Sequence, residues 1–264
     1  MKPRYALPLT KAVLLALCCL QLVAGAAMAD EAVAATTAEE TVRLHDVQVE
    51  GMRDPDWKSY KAMLQGVAAF DAKHQLAPTA TLRFILSPRR PDVPMQGISL
   101  RLESAESAVP VDIAPDYTFS LPVSEAAQQA NAELVLNRKV KTVRWFPHIR
   151  SAALAPNQRR LGDLRLECEV LWAIDYDTIP FLMRNMIRAL GGPCHMSKGK
   201  FSFSAPAKLV SATLVAGERR APLEVSGYQF TPPLHDKSWA DDSLIELVFA
   251  TGTGLPPAVD SVSN

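Results

Sequence analysis

The chain has 264 residues, of which 28 are Lys or Arg and 28 are Asp or Glu, so its formal net charge is zero at pH 7. This balance gives no general attraction to nucleic acid, and we expect no nucleic-acid partner. A chain of this length can bury one large core or two modest ones. Composition therefore indicates a globular protein and leaves the number of domains open.

The first 29 residues have the order of a secretory signal peptide. Lys2, Arg4 and Lys11 precede an apolar run over residues 12–23, and small residues follow as far as Ala29. A membrane-spanning helix needs about 20 apolar residues, and this run is shorter. We therefore expect cleavage near Ala29, a periplasmic or secreted location, and no transmembrane segment after cleavage.

The mature sequence changes character along its length. Residues 30–41 are small and acidic without an apolar period, which is typical of a flexible lead-in. We predict a helix plus a first β-rich subdomain over residues 42–176, and a helix plus a second β-rich subdomain over residues 177–250. Residues 251–264, rich in Gly, Pro and Ser, are predicted to form a flexible tail. A single domain is the alternative.

The first predicted helix follows a short strand at residues 42–49. Asp54 would cap the helix, Pro55 suits the first helical position, and Pro78 would end it. Apolar residues recur at steps of three and four, as on a helix with one buried face: Trp57, Tyr60, Met63, Leu64, Val67 and Phe70. This period predicts that Trp57 lies in the core.

From residue 81 onward apolar residues alternate with polar ones, which is the period of a half-buried strand. Such runs occur at 81–86, 98–102, 109–113, 117–121, 133–136, 140–145, 200–204, 208–216, 223–229 and 244–249. Short strands at this spacing favour antiparallel pairing in a sandwich. The sequence thus predicts a mainly β fold of the α+β class, with an antiparallel sandwich-like body, in one or two subdomains, and two amphipathic helices.

The most regular alternation lies at residues 164–174, where every second residue from Leu164 to Ile174 is apolar. We predict a strand there with Cys168 on its buried row. A second helix follows, started by Asp177 or Thr178 and ended by the glycines at 191 and 192.

Cys168 and Cys194 are the only cysteines that remain after the predicted cleavage. An even pair in an oxidising compartment favours a disulfide, which here would tie the end of the second helix to the sheet. A reactive thiol beside His195 is the alternative.

Two parts of the sequence resemble known families. Residues 116–121, followed by Pro122, resemble the strand-turn phrase of transthyretin-like and carboxypeptidase-regulatory sandwich modules, with Tyr117 where those modules usually carry glycine. Residues 76–84 and 157–168 resemble parts of an uncharacterised family of exported proteobacterial proteins. The first resemblance implies a sandwich, and neither implies an activity.

Motifs for catalysis and metal binding are missing from the sequence. The five histidines, at 45, 74, 148, 195 and 235, include no pair three to five residues apart. Ser197 and Lys200 match S-x-x-K, but Gly199 opposes the helix that this motif requires. Asp175 and Asp177 are explained by a turn and a helix cap. We therefore predict no catalytic residue, no metal and no cofactor.

Basic residues are concentrated between Arg138 and Arg165, where the only acid is Asp163. Arginine presents a planar fork to phosphate or carboxylate, and aromatic rings beside it can stack on ligands. The candidate ligand-binding residues are Arg138, Lys139, Lys141, Arg144, Trp145, His148, Arg150, Arg159 and Arg160. A solvated strand face with Trp145 in the core is the alternative.

These features predict an exported, non-catalytic binding or structural module. Its partner would be an anionic envelope component, such as peptidoglycan, lipopolysaccharide or phospholipid headgroups, or another envelope protein. One alternative is a periplasmic hydrolase of envelope polymers, with Asp175, His195 and Asp241 gathered in one cleft. Another is an assembly factor that pairs an edge strand with a partner.

Overall fold

The computed structural model describes residues 54–90, 92–197 and 199–251. The predicted signal peptide at 1–29, the lead-in at 30–41 and the strand at 42–49 lie outside these residues, as does the predicted tail beyond Thr251. In the described part, helices and antiparallel sheets confirm the mainly β, α+β class with a sandwich-like body.

The strands follow one another along the chain as short segments. In chain order they are β1 Pro55–Ser59, β2 Ala80–Pro88, β3 Leu100–Glu103, β4 Ala108–Val111, β5 Thr118–Phe119, β6 Glu133–Lys139, β7 Val143–Ser151, β8 Gln158–Arg160, β9 Phe203–Ser204, β10 Leu209–Ala216, β11 Arg219–Pro222, β12 Glu224–Ser226, β13 Gln229–Thr231 and β14 Leu244–Phe249. They form four antiparallel sheets with the orders β1-β6-β3-β4, β5-β2-β7, β11-β10-β14-β8 and β12-β13-β9.

Within the described ranges, four α-helices accompany these sheets: α1 Tyr60–Lys73, α2 Glu125–Gln129, α3 Leu161–Asp175 and α4 Phe181–Ala189. Short 3-10 helices lie at His74–Leu76, Tyr176–Thr178 and Pro193–His195.

The first helix begins at Tyr60, so the predicted start at Pro55 is wrong. The preceding residues form β1, which pairs with β6, and the Ser59 hydroxyl caps the helix by accepting from the Ala62 N–H. Successive side chains of a strand point to opposite sides, so Trp57 is 51% exposed whereas Asp56 is buried. The helical face that includes Tyr60 is buried as predicted.

The predicted strand at residues 164–174 is also wrong, because these residues form most of α3. Their alternation combines two helical stripes that are offset by two residues. Leu166, Val170 and Ile174 follow a step of four and pack in one core cluster. Leu161, Leu164 and Cys168 follow steps of three and four and pack in a second cluster. A helix that is buried on two opposite faces can therefore have the same alternation of apolar residues as a strand.

These two clusters contain most of the buried apolar side chains. The first joins α1 and α3 to the sheets that contain β2 and β6, and the second joins α3 to the sheet that contains β10 and β14. Because α3 contributes to both clusters, it links the regions assigned above to two subdomains. That division stays a prediction.

The predicted disulfide between Cys168 and Cys194 is confirmed, with an S–S distance of 2.11 Å and Cα atoms 5.8 Å apart. It excludes the reactive-thiol alternative for these two residues. The bridge ties the 3-10 helix after α4 to the middle of α3, and not to a sheet as expected.

The second helix ends where the sequence predicts. Gly191 and Gly192 follow α4 with φ of 91° and 90°, in the left-handed region that glycine favours. The start differs, because Asp177 and Thr178 lie in a 3-10 helix and neither caps α4. The segment predicted as one strand at 223–229 is split by Gly227 into the separate strands β12 and β13.

Candidate functional site

The basic stretch runs from the end of β6 through β7 and β8 into the start of α3. Its side chains separate into three groups by what they contact. The first group holds loops through backbone carbonyls, the second belongs to a buried polar network, and the third is exposed. The third group has its charge available to a ligand.

Three arginines donate hydrogen bonds to the carbonyls of distant loops. Arg138 donates to Pro94 at 3.1 Å and to Gln96 at 2.6 Å. Arg160 and Arg165 hold the loop before β14 in the same way. The carbonyls that these two arginines bind are those of Leu234, Asp236, Trp239 and Asp241. Arg138 and Arg165 each donate four hydrogen bonds within the protein, and Arg160 donates two. These guanidinium groups are therefore structural.

Arg159 belongs to a buried network between β7 and α3. Glu167 accepts from Arg159 Nη2 and from the Ile149 N–H, both at 2.7 Å. One helical turn earlier, Asp163 accepts from the Ser151 N–H at 2.8 Å and from the Ser151 hydroxyl at 2.6 Å. Since β7 is an edge strand of its sheet, the two carboxylates satisfy N–H groups that no neighbouring strand reaches.

His148 lies on β7 directly opposite Arg83 of β2. Burial lowers the pKa of His148 to about 4, and the charges of Arg159, Arg150 and Arg83 act in the same direction while Asp116 opposes them. His148 is therefore neutral at pH 7 and adds no charge to a ligand site. Arg83 is absent from the sequence candidates because only the pairing of β2 with β7 brings it here.

Stability is expected to decrease as the pH falls through the titration of His148. Its ordinary pKa of 6.5 applies to the unfolded chain, which binds a proton below that pH, whereas the folded chain binds one only near pH 4. The stability present above pH 6.5 is thus lost between pH 6.5 and 4, by about 3 kcal/mol. Free energies of unfolding measured across this window should fall less steeply for His148→Gln. Parallel curves for wild type and variant would contradict this assignment, and His195→Gln at an exposed position is the control.

Arg150 also donates its hydrogen bonds to carbonyls within the protein. Its Nη2 donates to the carbonyls of Ala155 at 3.2 Å and Gln158 at 3.1 Å, which closes the loop between β7 and β8. Trp145 is 8% exposed and stacks edge-on against Phe119, with ring centroids 6.0 Å apart. The core alternative is correct for Trp145, so its ring does not offer a stacking face.

Lys139, Lys141 and Arg144 are the candidates whose charges remain free. The two lysines are exposed at the turn between β6 and β7, and Arg144 is partly exposed near the start of β7. Within the described ranges, none of these three side chains makes a hydrogen bond or an ion pair. Arg89 lies beside them, since its N–H donates to the Thr142 carbonyl at 2.9 Å. We call Arg89, Lys139, Lys141 and Arg144 the turn cluster.

The three residues of the hydrolase alternative each have a different partner. The pairs are Asp175 with Lys58 at 3.4 Å, His195 with Glu169 at 2.7 Å, and Asp241 with Arg165. Arg165 and Asp175 are ten residues apart on α3, about 15 Å along the helix axis. The contacts therefore place Asp175 and Asp241 near opposite ends of α3.

No group of three or more His, Cys, Asp or Glu side chains among residues 54–90, 92–197 and 199–251 is placed to hold a metal ion. In the same part of the chain, no helix combines the length and the apolar character needed to cross a membrane.

Comparison with protein-family models, with curated proteins and with solved structures gives no match.

Proposed function

We propose that this protein is an exported, non-catalytic binding module of the cell envelope that contacts an anionic ligand through the turn cluster. The observation that supports this function is the difference between the turn cluster and the rest of the basic stretch. Arg138, Arg150, Arg159 and Arg160 bind the protein's own carbonyls and carboxylates. Arg89, Lys139 and Lys141 of the turn cluster are exposed, and Arg144 is partly exposed.

The surroundings of the turn cluster leave it with a net positive charge. The neighbouring Arg90 forms an ion pair with Asp92, and both side chains are exposed. Such a pair is nearly neutral to an approaching ligand. Asp54 also lies beside this turn, because its carbonyl accepts from the Val140 N–H at 3.0 Å, so the four cations of the turn cluster stand against one exposed acid and the local charge stays positive. Exposed charges of this kind attract anionic partners at low ionic strength and are screened at high salt.

Charge reversal in the turn cluster is expected to weaken anion binding. The triple variant Lys139→Glu, Lys141→Glu and Arg144→Glu should raise the dissociation constant for lipopolysaccharide or muropeptides by about tenfold at low salt, because three attractive charges become repulsive. The difference should shrink in about 0.5 M salt as screening removes the electrostatic part.

The matched control reverses three exposed lysines elsewhere, Lys61, Lys208 and Lys237, and changes the net charge by the same amount. If the control weakened binding as much as the turn-cluster variant, the attraction would come from overall charge and not from this surface. No effect of either variant would refute the proposed contact.

A further inference from the structure

Helix α4 has an amphipathic sequence but shows its apolar face to solvent. At 100° per residue, the side chains of Leu182, Met183, Met186, Ile187, Ala189 and Leu190 fall within an arc of about 160°. Leu182 is 82% exposed, Met183 48%, Met186 53% and Leu190 58%. No residue of α4 is buried. Scattered exposed apolar residues are ordinary, whereas a contiguous apolar helix face marks a contact surface.

The opposite face of α4 anchors the helix to the protein. Arg184 forms an ion pair with Asp177 at 2.7 Å, and its guanidinium lies 4.9 Å from the centre of the Tyr176 ring. Beyond the helix, the disulfide between Cys168 and Cys194 fixes the returning chain to α3. Both ends of α4 are therefore attached, while its apolar arc stays exposed, as do Phe181 and Arg188 outside that arc.

The charge of the surrounding sequence indicates what this face meets. Residues 179–217 contain no Asp or Glu, and their basic residues are Arg184, Arg188, Lys198, Lys200 and Lys208. Arg188 is exposed and makes no ion pair with another described residue. Arg184 is paired with Asp177 and Lys200 with Glu224, so Arg188 is the cation of α4 that stays available. An apolar helix face with an available cation and no acid on the same helix matches the requirements of an anionic lipid surface.

A second copy of the chain fits this face less well. Nine residues of helix are about 14 Å long and about 10 Å wide, far less than the roughly 800 Å² per partner of a stable protein interface. A lipid surface needs no complementary protein area, because each apolar side chain enters the headgroup boundary separately. The same length is too short to span a bilayer.

We propose that α4 is a membrane-surface helix that lies in the interface of an anionic bilayer, with Leu182, Met183, Met186 and Leu190 inserted among the lipids and Arg188 near the headgroups. This contact goes beyond the function proposed above and uses residues outside the turn cluster. Failure of one proposal therefore leaves the other intact.

The test is co-sedimentation of the full chain with vesicles of phosphatidylcholine alone and of phosphatidylcholine with one quarter phosphatidylglycerol. Wild type should bind the anionic vesicles more tightly, and the double variant Leu182→Ser, Met186→Ser should lose at least about tenfold in the partition coefficient. Both proteins carry the same residues 1–53, so any binding through that segment contributes equally to each.

The matched control replaces two exposed valines elsewhere, Val123→Ser and Val210→Ser, which are 93% and 64% exposed. It should bind as wild type does. Equal partitioning of wild type and the Leu182, Met186 variant would overturn the proposal. So would a wild-type dimer that this variant dissociates, in the absence of vesicle binding, because a second copy would then cover the face.

Discussion

Replacement of Glu167 by alanine is expected to lower the free energy of unfolding by about 3–5 kcal/mol. The side chains of Glu167 and Arg159 are 7% and 8% exposed, so removal of the carboxylate leaves a buried guanidinium without its counter-charge. The Ile149 N–H on the edge of β7 also loses its acceptor. Denaturant unfolding of the variant measures the effect.

Two further variants distinguish the effect of breaking the buried ion pair from the effect of removing any acidic side chain. Glu224→Ala breaks the exposed pair with Lys200 and should cost less than about 1 kcal/mol. The double variant Glu167→Leu, Arg159→Met removes both charges together and should recover most of the loss. If Glu167→Ala cost no more than Glu224→Ala, the network between β7 and α3 would not stabilise the fold as inferred.

Replacement of Gly162 by alanine is expected to cost about 3 kcal/mol or more, in spite of the better helix propensity of alanine. Gly162 lies in the first turn of α3, where its N–H donates to the Asp241 carbonyl at 2.8 Å. An added Cβ would lie 2.0 Å from the Leu76 carbonyl oxygen. The next nearest atom is the Asp241 carbonyl oxygen, at 2.9 Å. Both of these neighbours are backbone atoms, so no rotamer change relieves the clash, and α3 would have to move away from the loops that contain Leu76 and Asp241.

Gly66→Ala is the comparison for this prediction, because it also places a Cβ at a crowded helix position. The nearest atom there is Cγ1 of Ile174, at 2.6 Å. This contact is longer than the one at Gly162 and is made by a side chain and not by backbone, so the loss in the free energy of unfolding should be smaller than for Gly162→Ala. The reverse order would show that α3 tolerates displacement at its start better than at its crossing with α1.

The strands were predictable where one face is buried and the other is exposed. Residues 244–249 alternate along the whole of β14, and the prediction matches its bounds. The prediction of a strand from alternating apolar residues fails for α3, because both faces of that helix are buried. Its two apolar stripes, each at helical spacing, together place an apolar residue at every second position. Neither stripe is visible until the two core clusters are known.

The disulfide was predictable from the expected compartment and the cysteine count, since no other pairing remains after the predicted cleavage. The roles of the arginines were not, because their acceptors are far away in the sequence. Arg165 binds the carbonyl of Leu234, 69 residues further along. Composition identified a basic stretch, but only tertiary contacts separate its structural arginines from the turn cluster.

The exposure of the apolar face of α4 could not be predicted from the sequence either. Its amphipathic pattern predicts a helix correctly, and the usual expectation is that the apolar side packs on the core. The pattern alone cannot distinguish burial against a sheet from contact with an outside partner. The outward orientation follows from the attachment of Arg184 to Tyr176 and Asp177.

The most direct test of the proposed binding function is a thermal-shift series against lipopolysaccharide, muropeptides, anionic lipids and neutral glycans, each at low and high salt. An anionic ligand is expected to raise the unfolding temperature, the shift should fade in high salt, and neutral glycans should give none. A shift with neutral glycans that persists in high salt, or no shift with any anionic ligand, would contradict the proposed binding function.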